Sequence, residues 1–253
     1  MNLFSAYKNS YRMPPILFVF ITLFVALIMV IPLLYLLLRI TQLSLDDLLV
    51  LVSNRAFQTL TRSLILMICV TTLSSIIAIP LAWITARTYL PFRKIWIILV
   101  MLPLVIPSYV GAYLFLSVFG PTGLFQKGLE VLFEVQRLPD IRGLFGATIV
   151  LSLLSYPYLF ITLRGAISGL DISMEESSRI LGHNSFWTFI KVTLPQLRFP
   201  FVSGALLISL YTLSDFGAVS IFNYNTFSWT IYQQYNSLVD RSMSALFLSL
   251  IHI

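Results

Sequence analysis

The sequence predicts an all-α, polytopic membrane protein, and three observations carry that expectation. The 253-residue chain is 58% hydrophobic and only 10% charged, with a mean hydropathy of +0.91, whereas soluble domains carry about 25% charged residues. Its apolar residues gather into runs at 14–38, 60–84, 95–119, 143–163, 200–220 and 242–253. The first five are long enough for a helical crossing, which takes about 20 residues. Backbone groups in lipid must be paired within their own segment, so each run is expected to be a helix. The whole chain, 1–253, reads as one transmembrane domain.

The first run, 14–38, is too long for a secretory signal, and no small-residue cleavage site follows it. The second holds Pro80 and the fourth Pro157. Neighbouring helices can satisfy the carbonyls that proline frees, so these read as kinks rather than ends, as does Pro32 in the first. The third run carries Pro103 and Pro107, which predicts two kink points within one span and suits a helix lining a pathway that changes shape. Between the third and fourth runs, Leu124–Phe133 is apolar-rich but broken by Lys127 and Glu130, which fits a short interfacial helix on the outer side. The fifth contains Asp215 near its outer end; a carboxylate at membrane depth is a candidate functional group, or else an interfacial helix-end residue.

The net charge of +6 belongs to topology rather than to nucleic acid, because no basic stripe is interleaved with aromatics. The short loop after the second run holds Arg87, Arg93 and Lys94, which predicts a cytoplasmic N-terminus. Asp46, Asp47, Glu130, Glu134, Asp140 and Asp240 then fall outside. Cys69 lies in an apolar run and has no partner for an intrachain disulfide. His183 and His252 make no metal-ligand pattern, and no GxxxxGK[ST] loop is present to hold ATP. Glu175 and Glu176 are disfavoured as a catalytic pair, since adjacent helix residues point apart.

The most distinctive segment is the polar island between the fourth and fifth runs, about 171–197. Ser173 followed by Glu176 fits a capping box, and a helix starting there would end at Gly182 in a left-handed turn. Phe186, Phe189, Ile190 and Leu194 form an apolar stripe on a second short helix, which Pro195 would stop.

Within it, Glu176-Ser177-Ser178 precedes Gly182 by three residues, and nine more separate Gly182 from Val192-Thr193-Leu194-Pro195. This order resembles the Glu-Ala-Ala loop of ABC-transporter permeases, with Ser for Ala twice and Val for Ile once. The resemblance implies a six-helix importer permease whose cytoplasmic loop grips a separate ATPase. Glu175, Glu176, Ser177, Ser178, Gly182, Leu194 and Pro195 would form the coupling site, with His183 as exposed contact surface. Ile79–Thr88, Leu102–Gly111 and Leu213–Ser220, with the later Asn225-Thr226-Phe227 and Ile231–Tyr235, look like the N-terminal half of double-length ferric-iron permeases.

That resemblance implies ATP-driven import between two halves. The partners would be ABC ATPase subunits carrying ATP and magnesium, a periplasmic or lipid-anchored substrate-binding protein, a second permease half, and the bacterial inner membrane. The chain itself would be no enzyme and bind no cofactor or metal. Asp215, Tyr109, Tyr211, Pro103 and Pro107 are the candidate pathway residues. Thiamine and other small-solute permeases share the architecture; a non-transport sensor or scaffold is the alternative from another class. The run 242–253 has 12 residues, reaching about 18 Å as a helix, short of a core of about 30 Å. The expectation is that the native polypeptide continues through it into a second half.

Overall fold

The computed structural model describes residues 15–40, 54–121, 123–133 and 140–236. The elements in order are α1 (Ile16–Ile40), α2 (Asn54–Arg87), α3 (Arg93–Met101), a 3-10 turn at Leu102–Val105, α4 (Ser108–Phe119), α5 (Leu124–Phe133), α6 (Leu144–Gly169), α7 (Ile172–Ile180), α8 (Ser185–Thr188), α9 (Arg198–Ser214), α10 (Gly217–Ile221) and α11 (Phe227–Asn236). Among the described residues every regular element is helical. The expected sixth run, 242–253, lies outside them.

The chain divides into two units, one containing α1 and the other comprising Ser53–Gln233. Among the described residues, three stretches are long and apolar enough to cross a membrane: Phe57–Arg87, Ser108–Gly128 and Leu144–Gly169. The pair Ser185–Gln196 and Arg198–Ser214, bent by 73°, makes a fourth if taken as one span. The first unit's α1 is a single 25-residue apolar helix that includes Pro32.

The second unit is built on α2 and α6, with α9 packed against both. Leu66, Val70, Ser74, Ala78 and Ala82 recur every four residues on α2, and all are buried. Lipid tails are as apolar as leucine, so small residues that let backbones approach drive such packing. Hydroxyls knit the contact: Ser152 Oγ donates to the Val70 carbonyl at 3.3 Å, and the Ser74 and Ser155 hydroxyls lie 3.2 Å apart. On α9 the buried Gly204, Ile208 and Thr212 repeat the spacing. A Cβ on Gly204 would stand 2.5 Å from Leu159 Cδ1 and 3.0 Å from Leu159 Cα. Pro80 and Pro157 lie inside α2 and α6, as the sequence predicts.

The third apolar run is not one kinked span. It divides into α3, the Leu102–Val105 turn and α4, with Ile106 extended at φ −86° and ψ 119°. Pro107 is the physical reason: a residue before proline is driven out of the helical region, and two prolines four positions apart break the ladder rather than bend it. The Tyr156 hydroxyl of α6 donates to the Val100 carbonyl at 2.9 Å, just before the break. The fifth run is also interrupted. α9 ends at Ser214, and α10 begins after Asp215 and Phe216. The short helix expected at Leu124–Phe133 is present as α5.

Candidate functional site

The segment between α6 and α9 is a helix–turn–helix, and its caps come from its own sequence. α7 begins at Asp171, whose carboxylate accepts from the Ser173 backbone N–H at 3.0 Å. That bond, and then one from the Ser173 hydroxyl, holds the Asp171 carboxyl below the usual carboxylate range. The expected Ser173–Glu176 capping box is therefore corrected. Asp171 lies two residues earlier and is the stronger acceptor, so Ser173 becomes a donor inside the first turn.

Gly182 ends the helix at φ +89°, as the sequence predicts. Its N–H donates to the Arg179 carbonyl at 3.0 Å, and the His183 N–H donates to the Ser178 carbonyl at 3.3 Å. These two bonds are a Schellman motif, which satisfies carbonyls that the helix end would orphan. Asn184 then caps α8 by accepting from the Trp187 N–H at 2.8 Å.

Pro195 does not stop the second helix. α8 passes into a π-helical turn at Phe189–Thr193 and then a helical turn at Leu194–Gln196. Pro195 has no N–H to donate back, and the widened turn lets the Leu194 N–H reach the Phe189 carbonyl instead. The sharp bend falls afterwards, at Leu197. The extra residue also displaces the expected apolar stripe. Phe186 is exposed and Phe189, Ile190 and Leu194 are only half-buried, while Thr188 and Thr193, five apart, are the buried positions.

Those two hydroxyls hold the segment together. Thr188 Oγ1 lies 3.1 Å from the Ser178 hydroxyl of α7. Thr193 Oγ1 donates to Glu175 Oε1 at 3.0 Å. The same Glu175 oxygen is paired with Arg87 Nε, the last residue of α2, at 3.2 Å, with both side chains about one-tenth exposed. Arg87 Nη2 also donates to the Leu170 carbonyl at 3.0 Å, and Trp83 of α2 meets Phe189 with ring centroids 5.3 Å apart. Glu176 and Ser177 are exposed, as is Pro195. Ser173, Met174, Ser177, Ser178, Leu181, His183, Lys191 and Val192 line a cavity of about 440 Å³ open to the surface.

At the other end of α9, Asp215 is buried, and its Oδ1 accepts from the Ala218 N–H at 2.9 Å and the Val219 N–H at 3.4 Å. It is the cap of α10. Ser108 and Tyr109 of α4 lie against Gly217 of α10, which brings α4 up to this cap. The Ser228 hydroxyl donates to the Asp215 carbonyl at 2.6 Å. Tyr211 is half-buried against Tyr158, centroids 5.7 Å apart, and Tyr109 is exposed beside Gly217. Pro103 lies in the 3-10 turn, and Pro107 precedes α4.

Sequence reasoning missed Arg87, Thr188 and Thr193 at the first site and Ser108 and Ser228 at the second. Each sits in an apolar or loop context with no pattern linking it to its partner. No group of three or more His, Cys, Asp or Glu residues able to hold a metal occurs among the described residues.

The fold is that of a helical membrane protein with a capped surface helix–turn–helix at one end of the bundle. The chain belongs to the family described as the binding-protein-dependent transport system inner membrane component, which matches residues 78–253. It is 30% identical over 237 residues to the Fe(3+)-transport system permease protein FbpB 2 of Haemophilus influenzae, covering 93% of this chain and 43% of that one. It is 29% identical over 141 residues to the molybdenum transport system permease protein ModB of Escherichia coli K12, covering 56% of this chain and 60% of that one. With the Escherichia coli K12 sulfate transport system permease protein CysT the figures are 26% over 211 residues, 82% and 73%. The chain thus spans less than half the length of FbpB 2 and about three-fifths of ModB. A crystal structure of a bacterial ABC transporter involved in import of the acidic polysaccharide alginate shares the fold at a TM-score of 0.66 and 16% identity, covering 92% of this chain and 89% of that one.

Proposed function

We propose that this chain is the membrane-spanning permease of an ATP-driven importer. It supplies the translocation pathway and the lever on which a separate ATPase acts. The observation that carries this reading is the α7–Gly182–α8 unit, whose motif spacing coincides with a Schellman-capped turn presenting Glu176 and Ser177 to the surface. On this reading the segment 171–197 and the N-terminus are cytoplasmic. A binding protein docks on the opposite side, and a second permease half or subunit completes the pathway. ATP and magnesium belong to the ATPase, and the chain performs no chemistry.

Ferric iron is the proposed cargo. Support comes from the similarity to FbpB 2, which extends over 93% of the chain, against 56% for ModB. An oxyanion such as molybdate or sulfate is the second reading. It is favoured by the ModB and CysT similarities and by Asp215, whose Oδ1 is already taken by backbone N–H groups. Proteoliposomes holding the permease, its ATPase and its binding protein test both. ATP-dependent accumulation of ferric iron supports the first, and of molybdate or sulfate the second. Failure to accumulate any solute, with ATP hydrolysis indifferent to the binding protein, would count against the importer reading.

A further inference from the structure

The coupling segment changes direction at both of its covalent links. It leaves α6 through Gly169 and an extended Leu170 (φ −72°, ψ 142°), and it enters α9 through a 73° bend at Leu197. A further attachment is to α2, which is remote in sequence. Two parts of the segment meet the Arg87 guanidinium, and a third joins them through Glu175. The Leu170 carbonyl accepts from Nη2, Glu175 of α7 pairs with Nε, and Thr193 of the π turn donates to the same Glu175 oxygen. Trp83, one turn back, adds the ring contact to Phe189.

The end of α2 is itself fixed. Arg93 Nη2 donates to the Ala86 carbonyl at 3.0 Å, and Arg93 Nε donates to the Thr85 carbonyl, so the last turn is capped rather than frayed. From there α2 runs as one helix of 34 residues along α6 and α9.

We infer that Arg87 is a positioning residue for coupling: through Glu175 and Thr193 it makes α7, the π turn and α2 one rigid body, so that a push on the coupling segment moves α2. This deepens the importer reading and rests on it. Glu175 and Glu176 then divide the work, the first anchoring the segment inward to α2 and the second facing the ATPase.

The test uses the full transporter in proteoliposomes with its ATPase and binding protein, and reads solute accumulated per ATP hydrolysed. Arg87→Met and Glu175→Gln are each expected to lower that ratio by about tenfold, with ATPase subunits still bound and hydrolysis within about twofold of the parent. The two together should cost no more than either alone, because they remove one joint. A merely structural role would instead lower assembly, hydrolysis and uptake in parallel, and that outcome overturns the inference, as does an unchanged ratio.

A second measurement guards against misfolded variants. In a Cys69→Ala chain, R87C with E175C closed by a short bismaleimide should recover much of the lost ratio, since the two positions move together. A closed link that abolishes the remaining transport overturns the inference while leaving the importer reading intact. A parent that shows no ATP-driven uptake overturns the reading, and the inference with it.

Discussion

Glu175 and Glu176 are adjacent on α7 and live in opposite environments: the Glu175 carboxylate lies 3.2 Å from Arg87 Nε and is buried, while Glu176 is exposed. Successive helix residues are about 100° apart, so one faces the bundle and the other faces away. Both share the acidic character that makes this segment stand out, but only Glu176 is free to meet a partner protein. On another face of α7, an open cavity between that helix and the π turn is lined by Ser177, His183 and Lys191 among others.

Charge reversal at Glu176 should therefore disable coupling without disturbing the fold. Glu176→Lys is expected to abolish uptake while the protein inserts normally, because no described contact depends on that side chain. Gly182→Val should have the same effect for a backbone reason. A Cβ there meets nothing within 4 Å, yet φ is +89°, where an L side chain costs on the order of 1 kcal/mol. Gly182→Asn, which tolerates the left-handed region, should restore much of the transport. Uptake measured at matched expression decides each, and near-parental rates in both Glu176→Lys and Gly182→Val would sink the lever assignment.

Orientation is checked by labelling. Ser185 is exposed at the start of α8. In a Cys69→Ala chain, Ser185→Cys should resist a membrane-impermeant maleimide in intact cells and react after permeabilisation. Reaction from the outside of intact cells would reverse the topology.

What was legible in the sequence is what local chemistry decides. Gly182 at positive φ, the helix at Leu124–Phe133 and the helices spanning Pro80 and Pro157 all follow from turn, capping or apolar-run signals. What escaped depends on competition or distance. Asp171 and Ser173 are both plausible caps, and only the backbone path shows that the carboxylate takes the N–H. The break at Ile106 and the π turn before Pro195 are both proline effects, but a kink, a break and a widened turn have the same sequence signature. Arg87 and Glu175 are far apart in the chain, and no helical period links them. Asp215 is visible as an acidic residue in an apolar run; that its carboxylate caps α10 is not.

The Asp171 cap makes the first turn of α7 pH-sensitive. The Ser173 N–H holds the carboxyl below its ordinary value in the folded chain. A depressed folded pKa contributes stability that is present above the unfolded pKa and lost as pH falls through the folded one. Amide protection in α7, corrected for intrinsic exchange rates, should hold at neutral pH and fall once the medium is more acidic than the usual carboxylate range. Asp171→Asn keeps an acceptor and should remove this pH dependence; if the parent's protection does not change with pH, the cap contributes nothing measurable.

Close approach of α9 to α6 rests on Gly204. A Cβ there would meet Leu159 Cδ1 at 2.5 Å, the Thr162 hydroxyl at 2.6 Å and the Leu159 backbone at 3.0 Å. The first two can rotate away, but the third cannot. Gly204→Val is expected to cost about 1–3 kcal/mol by overpacking, read as a lower unfolding temperature in detergent, with Gly204→Ala milder. Unchanged thermal stability in the valine variant would show that the helices are free to separate.

Asp215 permits the charge to be tested apart from the cap. Its Oδ1 accepts from the Ala218 and Val219 N–H groups, and an asparagine Oδ1 can accept the same bonds. Asp215→Asn should therefore express and assemble like the parent, whereas Asp215→Leu should lose the cap of α10 and express poorly. If the carboxylate also eases passage of a hard cation, which favours oxygen ligands, Asp215→Asn should slow iron uptake by about tenfold, about 1.4 kcal/mol in the barrier. Hydrolysis stimulated by the binding protein should persist, because the coupling segment is untouched. Tyr211→Phe should slow uptake less, since it removes no charge. Parental iron uptake by Asp215→Asn would leave Asp215 as the cap of a short helix and move the pathway elsewhere.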